Sequence, residues 1–152
     1  MTIIEEAAKH PEKIAKKIVD YSQFVQDAAS FFEMDGERLE VICKKHAKNV
    51  YETCLRISEM KALEDYYATV IGKIESAHWK KYNEKYSRAL STKDIQAYIA
   101  GEPDYVAAKE LSLEVAFVRH QLDQVLDALN GMSFMVNNIT KLRVAELEDV
   151  IL

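Results

Sequence analysis

The chain has 152 residues and a formal net charge of −5, with 49% hydrophobic and 30% charged residues but only four Gly and two Pro. That balance supports a packed core and excludes wholesale disorder. So few turn-formers exclude a sandwich or barrel of many short strands and favour a few long helices. The start, "MTIIEEAAKH", has no basic region followed by an apolar stretch, and no run reaches the roughly 18 apolar residues of a membrane span. A cytoplasmic protein with no membrane partner is expected.

Charge is spread unevenly. Residues 1–40 sum to −4, residues 41–93 to +5 and residues 94–152 to −6. A basic middle between acidic ends matters more than the total, because attraction of an anion is local, within a Debye length of about 8–10 Å.

Pro11 suits the first turn of a helix. After it Ile14, Ile18, Tyr21, Val25, Ala28 and Phe32 recur at alternating spacings of four and three, one apolar stripe. "MDGER" at 34–38 breaks the pattern. A second helix is expected from about Glu37 into the 70s, with Cys43, Ala47, Val50, Cys54 and Ile57 as its stripe, forming a hairpin with the first. Cys43 and Cys54 would then share a face about 16 Å apart, too far for a disulfide within the chain, so buried, reduced thiols are expected. "STKD" at 91–94 reads as a Ser N-cap with an acid three residues on, opening a short helix that runs to Ala100 and ends at Gly101.

From Leu111 the pattern is sustained: Leu111, Val115, Val118, Leu122, Val125, Leu129, Met132, Val136 and Ile139 follow a 3.5-residue repeat, that of a helix packed along a partner helix. Asn130-Gly131 is expected to bend or split it. The end, "FMVNNITKLRVAELEDVIL", is apolar on more than one face, which predicts self-association. The expected fold is all-α: an N-terminal helical hairpin, a short middle segment and long heptad-patterned C-terminal helices that mediate oligomerisation.

Motifs for chemistry are sparse. Cys43 and His46 stand at i, i+3, but no second pair at ligand spacing accompanies them, so a core or surface role is the better reading. There is no phosphate-cradling glycine loop, nucleophile elbow or HExxH. The carboxylates Glu64-Asp65 and those around Glu146-Leu147-Glu148-Asp149 read as solvated helix faces. No catalytic residue, metal or cofactor is expected.

The segment "AHWKKYNEKYSRA" (77–89) holds a tryptophan, two tyrosines and four Lys or Arg residues. Trp79, Tyr82 and Tyr86 fall at i, i+3, i+7 and would share a helix face flanked by Lys80, Lys81, Lys85 and Arg88. Rings that stack on bases, edged by cations that meet phosphates, suit sequence-tolerant binding of single strands. The same stripe can equally be core with the lysines as a solvated rim. Upstream, "EMKALEDYYATVIGK" (59–73) places Lys61, Glu64-Asp65, Tyr66-Tyr67 and Gly72-Lys73 in a row.

Lys61, then Asp65-Tyr66-Tyr67 followed by a glycine and a base, resembles the central motif of the UvsY family of phage recombination mediators. "AGEPDYVAAKELSLEVAFVRHQLDQVLDAL" (100–129) resembles the corresponding family segment without a gap, with Asp104 at its acidic turn and Leu126-Asp127-Ala128-Leu129 as its signature. Phe134, Val136, Ile139, Leu142, Arg143 and Glu146 then keep the family spacing. The resemblance spans about residues 59–148. Leu63 stands where the family has an arginine, and "ATVI" precedes Gly72, which makes the 78–88 cluster a candidate source of the cations.

The resemblance implies a non-enzymatic protein that assembles through its C-terminal helices into a homo-oligomer, a ring and by the family a heptamer. It would bind single-stranded DNA in the host cell cytoplasm and help a RecA-like recombinase replace the single-strand-binding protein. The expected DNA contacts are Lys61, Tyr66, Tyr67, Lys73, Trp79, Lys80, Lys81, Tyr82, Lys85, Tyr86 and Arg88, within a region spanning 1–100. The expected assembly contacts are Val125, Leu129, Phe134, Val136, Ile139, Leu142 and Leu147, within 101–152. The competing reading is an oligomeric helical interaction or scaffold protein that never binds nucleic acid; an enzyme using Cys43 and His46 comes third.

Overall fold

The computed structural model describes residues 1–85 and 89–151, from 147 onward as helical backbone alone. Among the described residues the chain is all-α, with five α-helices and no strand: α1 (Ile3–Lys9), α2 (Pro11–Asp27), α3 (Leu39–Lys85), α4 (Thr92–Ala100) and α5 (Pro103–Ile151), with a 3₁₀ stretch at Ala28–Phe32 after α2. The long helices α3 and α5 pack together. No helix among these residues is long and apolar enough to cross a membrane.

The helix boundaries follow local chemistry. Thr2 caps α1 through a capping box with Glu5, whose backbone N–H donates to the Thr2 hydroxyl at 3.2 Å while the Glu5 carboxylate accepts from Thr2 N at 2.8 Å. "TIIE" is the signal for this helix, which the apolar spacing does not reveal. Between the 3₁₀ stretch and α3 the chain turns at Gly36, whose φ of 74° is the left-handed conformation that glycine adopts without cost. Ser91 caps α4, its hydroxyl accepting from Asp94 N, and Gly101 stands at the far end. Gly131 does not split α5, which is one helix of 49 residues. An interior glycine costs about 1 kcal/mol, and the buried seam on both sides of it outweighs that.

The chain divides into two compact units, Met1–Ile18 with Glu59–Phe117 and Val19–Ser58 with Val118–Leu152. In the first, Ile14, Ile18, Met60, Leu63, Tyr67, Ile71 and Val115 are buried, and Lys17 bridges Glu6 and Glu59 at 3.4 and 3.6 Å. In the second, Ile42, Leu129, Met132 and Val136 form a cluster, with Phe31, Phe32, Met34, Leu39, Val50 and Val125 packed against it. Arg56 lies over the Phe24 ring at 3.9 Å and near Tyr21 at 5.3 Å, holding α2 to α3 there.

The α2 stripe is buried or half-buried throughout, as expected. The α3 stripe is not the expected one. Cys43, Ala47 and Cys54 are exposed, so the expectation of buried thiols is corrected. The seam instead passes through Leu39, Ile42, His46, Asn49, Thr53, Ile57 and Met60. His46 Nε2 meets Ser133 Oγ at 2.7 Å, and the wholly buried Thr53 donates its hydroxyl to Asn49 O at 2.7 Å. These bonds satisfy His46 Nε2 and the Thr53 hydroxyl, while His46 Nδ1 is buried without a hydrogen-bond partner.

Leu129→Ala is therefore expected to cost about 2–5 kcal/mol in denaturant unfolding, while Cys43→Ser shifts stability by less than about 0.5 kcal/mol. Both thiols of the folded protein should react freely with Ellman's reagent. Protection of either would mean that another surface covers it.

Candidate nucleic-acid interface

The site expected from sequence lies on the second half of α3, within the first unit. Burial of Met60, Leu63, Tyr67, Ile71 and Tyr82 fixes which way this helix faces. At about 100° per residue, that orientation turns Lys61, Lys73 and Lys80 to the solvent side, and all three are exposed. None of the three enters an ion pair among the described residues. Lys73 and Lys80, seven residues apart, lie on nearly one line about 10 Å along the helix. Trp79 is exposed at 36% and stands next to Lys80. Lys85 is exposed at the helix end.

The tyrosines behave differently. Tyr82 is buried in a cluster with Ile95 and Ile99, against which Leu90 and Tyr105 pack, and its ring stacks on Tyr98 at 5.5 Å. Its ring is core and is not open to a base. Tyr67 is also buried, with Tyr66 set edge-on to it at 5.2 Å and half-buried. Burial pushes the Tyr67 phenol above its ordinary range, and the neighbouring Tyr66 adds to this. Thus the adjacent tyrosines of the family-like motif split, one inward and one at the rim. Tyr86 and Arg88 lie outside the described residues, as does the side chain of Leu147.

A polar network braces this end of α3 against the start of α5. Tyr82 donates its hydroxyl to Glu102 Oε1 in a short hydrogen bond. Lys81 Nζ is 3.5 Å from the same oxygen and 5.2 Å from the Tyr82 ring centre, so this lysine is engaged beside the cluster. His78 Nε2 meets both Asp104 oxygens, at 2.8 and 3.0 Å. Glu102 is held below the ordinary carboxylate range, first by the Tyr82 hydroxyl and then by the charges of Lys81 and His78. Asp104 is lowered chiefly by the His78 bond and further by the Tyr105 N–H. His78, Glu102 and Asp104 come within reach of one common point, a grouping able to hold a cation. The Lys81 ammonium and the Tyr82 hydroxyl already neutralise and satisfy Glu102. Sequence reasoning missed this network because its partners are twenty or more residues apart.

Between α3, α4 and α5 of this unit a groove of about 550 Å³ is lined by Glu75, Ser76, Trp79, Gln96, Ile99, Ala100 and Tyr105. It too lay beyond sequence reasoning, since it exists only because α4 folds back beside α3.

The expected assembly residues also divide. Leu129 and Val136 are buried within the protomer and Val125 packs on the same cluster; Ile139 is half-buried. The heptad seam thus meets its partner helix inside the chain. Phe134 and Leu142, 71% and 64% exposed, remain available with Met135 and Val144.

Compared with known proteins, the chain matches no family model, no curated protein and no solved structure.

The lowered carboxyls give a pH prediction. A carboxyl depressed on folding stabilises the fold above its unfolded pKa and loses that contribution as pH falls through its folded pKa. The brace should therefore weaken as pH falls below about 4. Thermal melts should drop more steeply there for the parent chain than for a His78→Gln, Glu102→Gln double variant. Equal acid slopes would mean that the network does not couple to folding.

Proposed function

We propose that this protein is a non-enzymatic, self-associating helical protein that binds single-stranded DNA and helps a RecA-like recombinase replace single-strand-binding protein. The observation that carries the DNA-binding part is the solvent side of α3, where Trp79 is open beside Lys80 and in reach of the line through Lys73, with Lys61 further back. Cations that meet phosphates and one ring able to stack on a base are the minimum that sequence-tolerant strand binding requires. Of the nine expected contacts among the described residues, six are exposed: Lys61, Lys73, Trp79, Lys80, Lys81 and Lys85. The recombinase and single-strand-binding partners rest on the family resemblance of residues 59–148.

Self-association is supported by Phe134, Met135, Leu142 and Val144, exposed apolar side chains on the C-terminal part of α5. A shallow apolar groove lined by Phe32, Met34, Ala128, Gly131, Met132 and Met135 adjoins them in the same unit. Exposed large apolar side chains beside an apolar groove suit an interaction surface. The same observation favours a second reading, an oligomeric scaffold without nucleic-acid binding.

Strand binding separates the two. Replacing Lys61, Lys73 and Lys80 together by Ala should weaken binding to all sequences alike and lower the salt slope by about 2 per protomer, at roughly 0.7 per lost phosphate contact. Trp79→Ala should cost about 1–3 kcal/mol per lost stacked base and leave the slope nearly unchanged. Fluorescence anisotropy with labelled oligothymidine at two salt concentrations measures both; an absence of binding even at low salt selects the scaffold. For assembly, Phe134→Ser with Leu142→Ser should lower the light-scattering mass while the protomer stays folded, because both side chains lie outside the core. An unchanged mass would place the assembly surface elsewhere.

A further inference from the structure

The α3–α4–α5 groove has the size of a small-ligand site, about 550 Å³. Its lining is of three kinds. Trp79 and Tyr105 supply ring faces, Ile99 and Ala100 supply aliphatic surface, and Ser76, Gln96 and Glu75 supply hydrogen-bonding groups. An aliphatic chain would leave those three polar groups without partners, at a cost. A phosphate would face the Glu75 carboxylate. A flat heterocycle with a hydrogen-bonding edge matches every element of the set, and the cations that a phosphate needs, Lys73 and Lys80, are exposed on the same helix within one turn of Glu75 and Trp79.

We propose that the groove seats one unpaired base, and that Glu75 selects bases that present an amino edge, guanine above all. A carboxylate can only accept hydrogen bonds. Guanine offers two adjacent donors, its N1–H and 2-amino group, and so can meet both carboxylate oxygens. Thymine offers a single N–H flanked by two carbonyl oxygens that the carboxylate repels. Gln96, which both donates and accepts, serves either base and adds no preference. The seat rests on the single-strand reading for the source of its base, and it adds a selectivity that the lysines cannot provide.

Trp79 is the sole tryptophan of the chain, so its emission reports on the groove directly. The full-length protein is titrated with guanosine and with thymidine, which carry no phosphate and therefore make no use of the lysines. Guanosine should quench Trp79 saturably and bind about tenfold tighter than thymidine, the discrimination expected of one bidentate pair. Ala100→Leu, at the exposed last position of α4, should abolish saturation without lowering the melting temperature, and Glu75→Gln should bring the two nucleosides close to parity. Linear, collisional quenching equal to that of a free tryptophan analogue would overturn the seat. If labelled strands still bind with salt dependence in that case, the single-strand reading stands without it. Saturable quenching by guanosine with no strand binding at any salt would overturn the single-strand reading and leave the groove as a site for a free nucleoside or nucleotide. Unaltered preference in Glu75→Gln would overturn the selectivity.

Discussion

The burial of Tyr82 is the constraint on which the candidate site depends. Its ring closes the Ile95–Ile99 cluster and its hydroxyl is held by Glu102. Once that residue faces inward, helix geometry leaves no freedom to its neighbours. Trp79, three residues earlier, points about 60° away and reaches the edge of the buried seam; Lys80, two residues earlier, points about 160° away, into solvent. The one anchor therefore divides an aromatic and basic segment into a core residue, a rim residue and a solvated cation. It also holds α4 beside α3, which is what creates the groove at Trp79.

The fold was legible wherever apolar side chains alone mark the buried face. The stripes of α2 and of α5, the Ser91 cap and the stop at Gly101 follow directly from residue type and spacing. The face of α3 was not legible, because its seam carries His46, Asn49 and Thr53. A count of apolar residues places Cys43, Ala47 and Cys54 inward instead, a rotation of about 100° at the first of them, since Ile42 is the residue that is buried. What makes the polar seam tolerable is the partner on α5, Ser133, and the return of the Thr53 hydroxyl to its own helix. Neither can be known before the pairing of α3 with α5 is known. Gly131 shows the converse, where a local preference yields to a seam that is apolar for several turns on either side.

Of the site, residue types were legible and sides were not. Adjacent tyrosines at 66 and 67 must point in different directions on a helix, but which of them is core depends on packing. Within 78–88 the spacing of Trp79, Tyr82 and Tyr86 suggests one aromatic face, yet three-residue steps drift across a face rather than along it, and the drift is enough to part Trp79 from Tyr82. The brace of His78 with Asp104 joins residues 26 apart in the chain, and no local pattern announces it.

The heptad seam of α5 bears on how an acidic chain could hold an anion. Its strongest apolar residues, Leu129, Met132 and Val136, are used within the protomer, so the proposed assembly would draw on the face that remains, around Phe134 and Leu142. The second half of α3 presents only a few exposed lysines, and three phosphate contacts alone would give weak, strongly salt-dependent binding. Copies joined through the α5 face would hold those few contacts at high effective concentration, so that each bound segment of strand favours the next. On the proposed reading, assembly and strand binding would then depend on each other. The acidic segments would raise the cost of bringing DNA near any single copy, and in the proposed assembly multiplicity would be the physical means by which local basic faces overcome the charge of the whole.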